Sequence, residues 1–143
     1  MSFLGLDVGE KRIGVARSDE LNFMAHPVGI IENRSKEEVV VQLKQFLEQY
    51  NIQTVVVGLP KTLKGEVGSK ANEILLFVDY LRSELPHSIV TWDERLTTVE
   101  AERKLLDHDV SRAKRKKKRD ALAAEIMLQS YLDYLKGQGA TNV

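Results

Sequence analysis

The 143-residue chain has no cysteine. That excludes a disulfide framework, a thiolate metal site and a thiol nucleophile. No apolar run approaches the roughly 18 residues that a membrane-spanning helix needs. The opening "SFLGLDVG" lacks a basic region followed by an apolar stretch and a cleavage site, so no secretory signal is read and a cytoplasmic location is expected. Histidine is scarce. His26, His87 and His108 stand alone, without an H-x-H or H-x-x-x-H pair, which argues against zinc. There is no G-x-S-x-G elbow. Internal repeats, low-complexity tracts and interdomain linkers are also missing, which leaves a single domain over residues 1–137 and a flexible tail over 138–143. With 43% hydrophobic residues, the chain can build one proper core.

Net charge is absent too, but only as a sum: 21 basic residues balance 21 acidic ones. Seven of the eight residues in "RAKRKKKR", Arg112 to Arg119, are basic, so the remainder carries 14 basic against 21 acidic. One dense cationic element sits on an acidic body. Such a run serves equally as a solvated face or as the electrostatic footprint of a polyanion.

The apolar pattern supplies the elements. "FLGLDV" (3–8) and "IGVARS" (13–18) read as strands joined by the polar turn "GEKR", and "PVGII" (27–31) as a third strand. "SKEEVVVQLKQFLEQY" opens on a capping box, Ser35 with Glu38, and continues at helical spacing through Val39, Leu43, Phe46, Leu47 and Tyr50. "TVVVGLP" (54–60) is the continuous apolar run of a strand buried on both faces. Ile74, Phe77, Val78, Leu81 and Leu85 mark a second helix that stops at Pro86, and "SIVTW" (88–92) is a fifth strand. "TTVEAERKLL" starts a capped third helix, and "DALAAEIMLQSYLDYL" is a strong last one. The order β-β-β-α-β-α-β-α-α implies an α/β fold: a mixed five-stranded sheet, a three-strand antiparallel meander plus βαβ crossovers, with helices on both faces. That order is ribonuclease H-like.

Asp7 is the first residue that this fold does not explain. An ionised carboxylate in a sheet centre is costly, whereas at a strand end beside Gly9 it can face a cleft or cap a turn. Asp93 and Glu94 end the fifth strand, at the sheet edge where α/β proteins hold ligands, although acids there also complement the dipole of the helix that follows. Asp120 opens the last helix on the side of Ala124, Met127 and Tyr131, its apolar stripe; an N-cap explains the residue type but not that side. Three carboxylates from remote segments suit hard cations such as Mg²⁺. Two such ions about 4 Å apart stabilise the attacking and leaving oxygens of a phosphodiester displacement and activate a bound water.

Four stretches, "LGLDVGEKRIGVARSD", "VVVGLPKTLKGEVG", "TWDERLTT" and "RDALAAEIMLQSYL", resemble the four blocks of the YqgF/RuvX family, small bacterial relatives of the RuvC Holliday-junction resolvases. The resemblance covers nearly the whole chain, and "DERLTT" is its most specific part. It implies a ribonuclease H-like nuclease that uses Mg²⁺ or Mn²⁺, two ions by the chemistry above. Its substrate would be a branched DNA junction or the 5′ end of precursor 16S ribosomal RNA. Position by position, Asp7 matches the first acid, Glu94 the second and Asp120 the third, with Asp93 a further candidate for the second role. Arg119 and Ala121 replace the apolar residue and serine that often flank the third acid.

Candidate nucleic-acid contacts are Lys11 and Arg12 in the turn after Asp7, Lys61 and Lys64 in the glycine loop, Arg95, and Lys114, Arg115, Lys116, Lys117 and Lys118 of the basic run. Trp92 can stack on a base or sit in the core, and Gly58 and Gly65 read as turn residues. Junction resolution would call for a two-fold homodimer; trimming would not. Two other readings remain: a non-catalytic nucleic-acid-binding module in ribosome assembly or transcription, and an actin-like ATP-binding phosphotransferase. The second needs two such domains, and the chain has room for one.

Overall fold

The computed structural model describes residues 2–60, 67–94 and 119–141, and of 119–120 and 138–141 the backbone alone. The described elements are β1 (Phe3–Val8), β2 (Arg12–Ser18), β3 (Ala25–Glu32), α1 (Lys36–Gln49), β4 (Thr54–Leu59), α2 (Ser69–Glu84), β5 (Ser88–Asp93) and α3 (Arg119–Thr141). The helix expected at "TTVEAERKLL" lies outside the described residues. α1 starts where its capping signal places it: the Ser35 hydroxyl accepts from the Glu38 amide at 3.2 Å. It ends at Tyr50, after which Asn51, at φ 52°, turns the chain toward β4.

The five strands form one sheet in the order β3-β2-β1-β4-β5. β1 pairs antiparallel with β2, and β2 with β3, whereas β1–β4 and β4–β5 are parallel. The local hairpins account for the first half and the helical crossovers for the second. β1 is therefore central, and its alternation divides the core. Leu4 and Leu6 join Val55, Val57, Leu59, Ile13 and Val15 on the face covered by α1 and α2. Phe3 joins Ala16, Val56 and Trp92 on the other face, under Ala124, Met127, Leu128 and Leu132 of α3.

α3 lies close to the sheet because Gly5 carries no side chain. A Cβ there would stand 2.9 Å from the Leu128 Cβ. The helix is also tied to the outer strand. Gln129 is fully buried; its Oε1 accepts from the Ala25 amide at 2.9 Å, and its Nε2 donates to the Phe23 carbonyl at 2.9 Å and to Asp133 Oδ1 at 3.1 Å. Among the described residues no helix is long and apolar enough to cross a membrane.

Candidate active site

Asp7 projects from β1 on the α3 face, since it alternates with Phe3 and Gly5. Its neighbours across the sheet have no side chains. Gly14 pairs with it on β2, and the β1–β4 register, Leu6 opposite Val57, brings Gly58 level with it on the other side. The carboxylate thus stands in a gap at the end of an otherwise filled face.

Glu94 reaches that gap from β5. Trp92 pairs with Gly58 and Asp93 with Leu59. Alternation therefore turns Trp92 to the α3 face and Asp93 to the opposite one. Glu94, immediately beyond the strand, folds its side chain back over Gly58, where a Cβ would lie 2.6 Å from Oε1 and 3.3 Å from Cδ. Gly58 is thus a strand residue that makes room for a carboxylate, not the turn residue that its position before Pro60 suggested.

The Glu94 carboxyl lies within hydrogen-bonding reach of Asp7, and its pKa is pushed up from 4.5 to about 7. Partial burial is the largest cause, followed by the Asp7 charge and the hydrogen bond to Asp7; Asp93 adds a smaller upward push and Lys70 a downward one. Two carboxylates forced together in this way form a site short of positive charge.

Asp120 lies at the start of α3, where the structure gives backbone only. The Phe3 and Tyr131 rings meet at 5.6 Å, and Gly5 meets Leu128, so moving up β1 means moving toward the N-terminus of α3. At about 3.3 Å per strand residue and about 1.5 Å per helical residue, Asp120 falls a few ångströms beyond the level of Asp7, at the same sheet edge. Ala121 and Ala124, both fully buried, let this end of the helix approach closely.

Lys11 and Arg12 are exposed at that edge, in the turn after β1 and at the first position of β2. Lys61, Lys64, Gly65, Arg95 and Lys114 to Lys118 lie outside the described residues. Trp92 belongs to the core: it is buried and packs on the Tyr131 and Tyr134 rings at 5.3 and 5.0 Å. Lys70 is a site residue that the sequence does not reveal. It sits in the first turn of α2 and faces Glu94 across the edge. A lone lysine at a helix start gives no sequence signal of that position.

Among the described residues no three histidine, cysteine, aspartate or glutamate side chains cluster. What they present is a pair of carboxylates, and an oxygen-only donor set fits a hard divalent cation rather than zinc.

The sequence matches the family model "RuvX: Holliday junction resolvase" over residues 1–134. The chain belongs to the RuvX family. RuvX relatives from Desulforudis audaxviator and Clostridium novyi, both named "Putative pre-16S rRNA nuclease", are 43% identical over 136 residues and 45% identical over 133. These matches cover 95% of this chain and 96% of the first protein, and 93% and 98% for the second. Among solved structures, T. thermophilus RuvC in complex with a Holliday junction substrate superposes with a TM-score of 0.64 at 16% identity, covering 96% of each chain. The Fowlpox virus resolvase in complex with Holliday junction DNA gives 0.58 at 15% identity, covering 94% of this chain and 99% of that one. At such identities the likeness establishes the fold: the RuvX chain has the ribonuclease H-like architecture of RuvC.

Proposed function

We propose that this chain is a metal-dependent endonuclease that hydrolyses phosphodiester bonds at the 5′ end of precursor 16S ribosomal RNA, in the cytoplasm. One observation carries the chemistry. Asp7 and Glu94, from strands far apart in sequence, converge over glycine at the sheet edge, and burial together with the Asp7 charge raises the cost of charge on Glu94. The family description and the names of relatives that match nearly full length support the reaction class and the RNA substrate.

Asp7, Glu94 and Asp120 are the proposed ligands for Mg²⁺ or Mn²⁺, and three carboxylates supply enough oxygens for a pair of such ions. When bound, the ions supply charge stabilisation at the phosphate and a water of lowered pKa. Asp7 holds the centre of the site from the rigid middle strand. Glu94 gives up its proton to act as a ligand, and removal of that proton is what a divalent cation favours. Lys11, Arg12, Lys61, Lys64, Arg95 and the run Lys114, Arg115, Lys116, Lys117 and Lys118 are the proposed phosphate contacts, which position the substrate without reading its sequence.

Holliday junction resolution is the second reading, favoured by the family description. It adds a requirement for a two-fold dimer, because a junction needs two symmetric cuts. Cleavage assays with purified protein on a precursor leader RNA and on a four-way DNA junction, each in Mg²⁺, Mn²⁺ or EDTA, separate the readings. The expected result is metal-dependent cutting of the leader. Cutting of the junction alone selects the second reading. Binding of either substrate with no cutting in any metal overturns the nuclease assignment in favour of a binding module.

A further inference from the structure

A cleft of about 490 Å³ opens on the other side of the same sheet edge. Its walls include Val8, Gly9 and Glu10 at and after the end of β1, Asn33 before α1, and Lys70, Glu73 and Phe77 of α2. The volume lies within the about 300–1,000 Å³ of small-molecule sites. Val8 and Gly9 directly follow Asp7 in the chain, and Lys70 both lines the cleft and faces Glu94. The acid pair lies on the α3 side of the edge and the cleft on the α1/α2 side. Lys70 lies between the two, lining the cleft and within electrostatic reach of Glu94.

The lining suits a base that is out of its helix. The Phe77 ring and Val8 give an apolar wall, the kind of surface on which an unstacked base rests. The polar groups are mainly acceptors. Asn33 uses one Nδ2 hydrogen on the Gly9 carbonyl at 2.9 Å, which leaves Oδ1 as an acceptor beside the second Nδ2 hydrogen. Glu73 offers a carboxylate on the exposed side of α2. Acceptors select bases that present hydrogens, and guanine, with N1–H and N2–H side by side, matches a carboxylate in bidentate fashion. Uracil has one N–H between two carbonyls and fits least.

We propose that this cleft receives one unpaired nucleotide adjoining the scissile phosphate, with its phosphate at Lys70 and an amino-bearing base, guanine above all, against Phe77, Asn33 and Glu73. The inference rests on the nuclease reading for its orientation, but its test needs no cleavage. ¹⁵N-labelled protein in EDTA is titrated with guanosine 5′-monophosphate, uridine 5′-monophosphate and ribose 5-phosphate. The guanine nucleotide should shift the amides of Gly9, Asn33 and Glu73 with a dissociation constant of about 1 mM, and the uracil nucleotide should bind at least about fivefold more weakly. Glu73→Ala, at an exposed helical position that leaves the core intact, should shrink the preference for the guanine nucleotide by at least about twofold, the remainder resting on Asn33, Glu10 and the Phe77 ring. Asp7→Asn should leave the guanine preference unchanged, which separates this site from the metal site. Equal shifts from ribose 5-phosphate and the guanine nucleotide, no shifts in the cleft, or a guanine preference that Glu73→Ala does not diminish each overturn the proposal. A positive titration by a protein that cuts neither leader nor junction supports the nucleotide site while the nuclease reading fails separately.

Discussion

A methyl group at position 58 would land 2.6 Å from Glu94 Oε1, so the smallest possible substitution there tests the acid pair. Gly58→Ala should displace Glu94 from Asp7 and lower cleavage by roughly tenfold to a hundredfold, as a misplacement of about 1 Å does. Steady-state rates on the leader RNA, with circular dichroism to check the fold, measure this. The pair also predicts a pH dependence for the metal-free protein. Well below pH 4.5 Glu94 is protonated in both the folded and unfolded chains. As pH rises toward about 7 the unfolded chain sheds the proton first, so the stability contributed by the raised pKa is present at low pH and lost through that window. The melting temperature in EDTA should therefore fall between about pH 5 and about pH 8, by less in Asp7→Asn, where the neighbouring charge is gone. At this scale the sequence singled out Asp7 and Glu94, the two acids that the structure brings together, because carboxylates at strand ends are out of place in a core. It did not disclose Gly58 or Lys70, whose roles depend on which strand or helix lies across from them.

The elements were more legible. Each strand keeps the apolar alternation or apolar run that marked it, and the Ser35 cap fixes the start of α1 within a residue. α3 carries an apolar stripe that ends near Leu135, yet its helical backbone continues through Gly137 to Thr141, which the stripe alone does not show. What the stripe also hides is Gln129. A polar residue in an apolar register reads as surface, whereas here it is fully buried and pairs the amide of Ala25 and the carbonyl of Phe23. Gln129→Leu should leave that buried amide without a partner and cost about 1–3 kcal/mol, measured by urea denaturation. Cleavage per folded molecule should be unchanged, because the contact lies at β3, away from the acid pair. Gly5→Val acts on the same helix from below. Its branched side chain meets Leu128, so it should lift α3 from the sheet and reduce stability and cleavage together.

Over the whole molecule, charge is separated: seven cations in the eight residues 112–119 oppose an excess of acids elsewhere. Substrate affinity in EDTA should fall steeply as salt rises, and replacing three lysines of the run, Lys116, Lys117 and Lys118, with glutamine should flatten the log–log slope by about 2–3. Filter binding at several salt concentrations reads that slope. The charge run was visible in the sequence, equally as a solvated face or as a polyanion footprint; its position relative to the acid pair lies outside the described residues. The mixed sheet, an antiparallel meander continued by parallel crossovers, was legible because local hairpins and crossovers leave few alternatives. The cleft beside Lys70 was not, since its walls come from three separate segments.

The proposed metal site joins Asp7, Glu94 and Asp120 around a divalent cation. Isothermal titration with Mn²⁺ near pH 7, in two buffers of different ionisation enthalpy, tests it most directly. Binding should release about half a proton per molecule near pH 7 and more at pH 6, drawn from Glu94, and should weaken by at least about tenfold in each of Asp7→Asn, Glu94→Gln and Asp120→Asn. Folded variants that bind Mn²⁺ as tightly as the parent chain would contradict it.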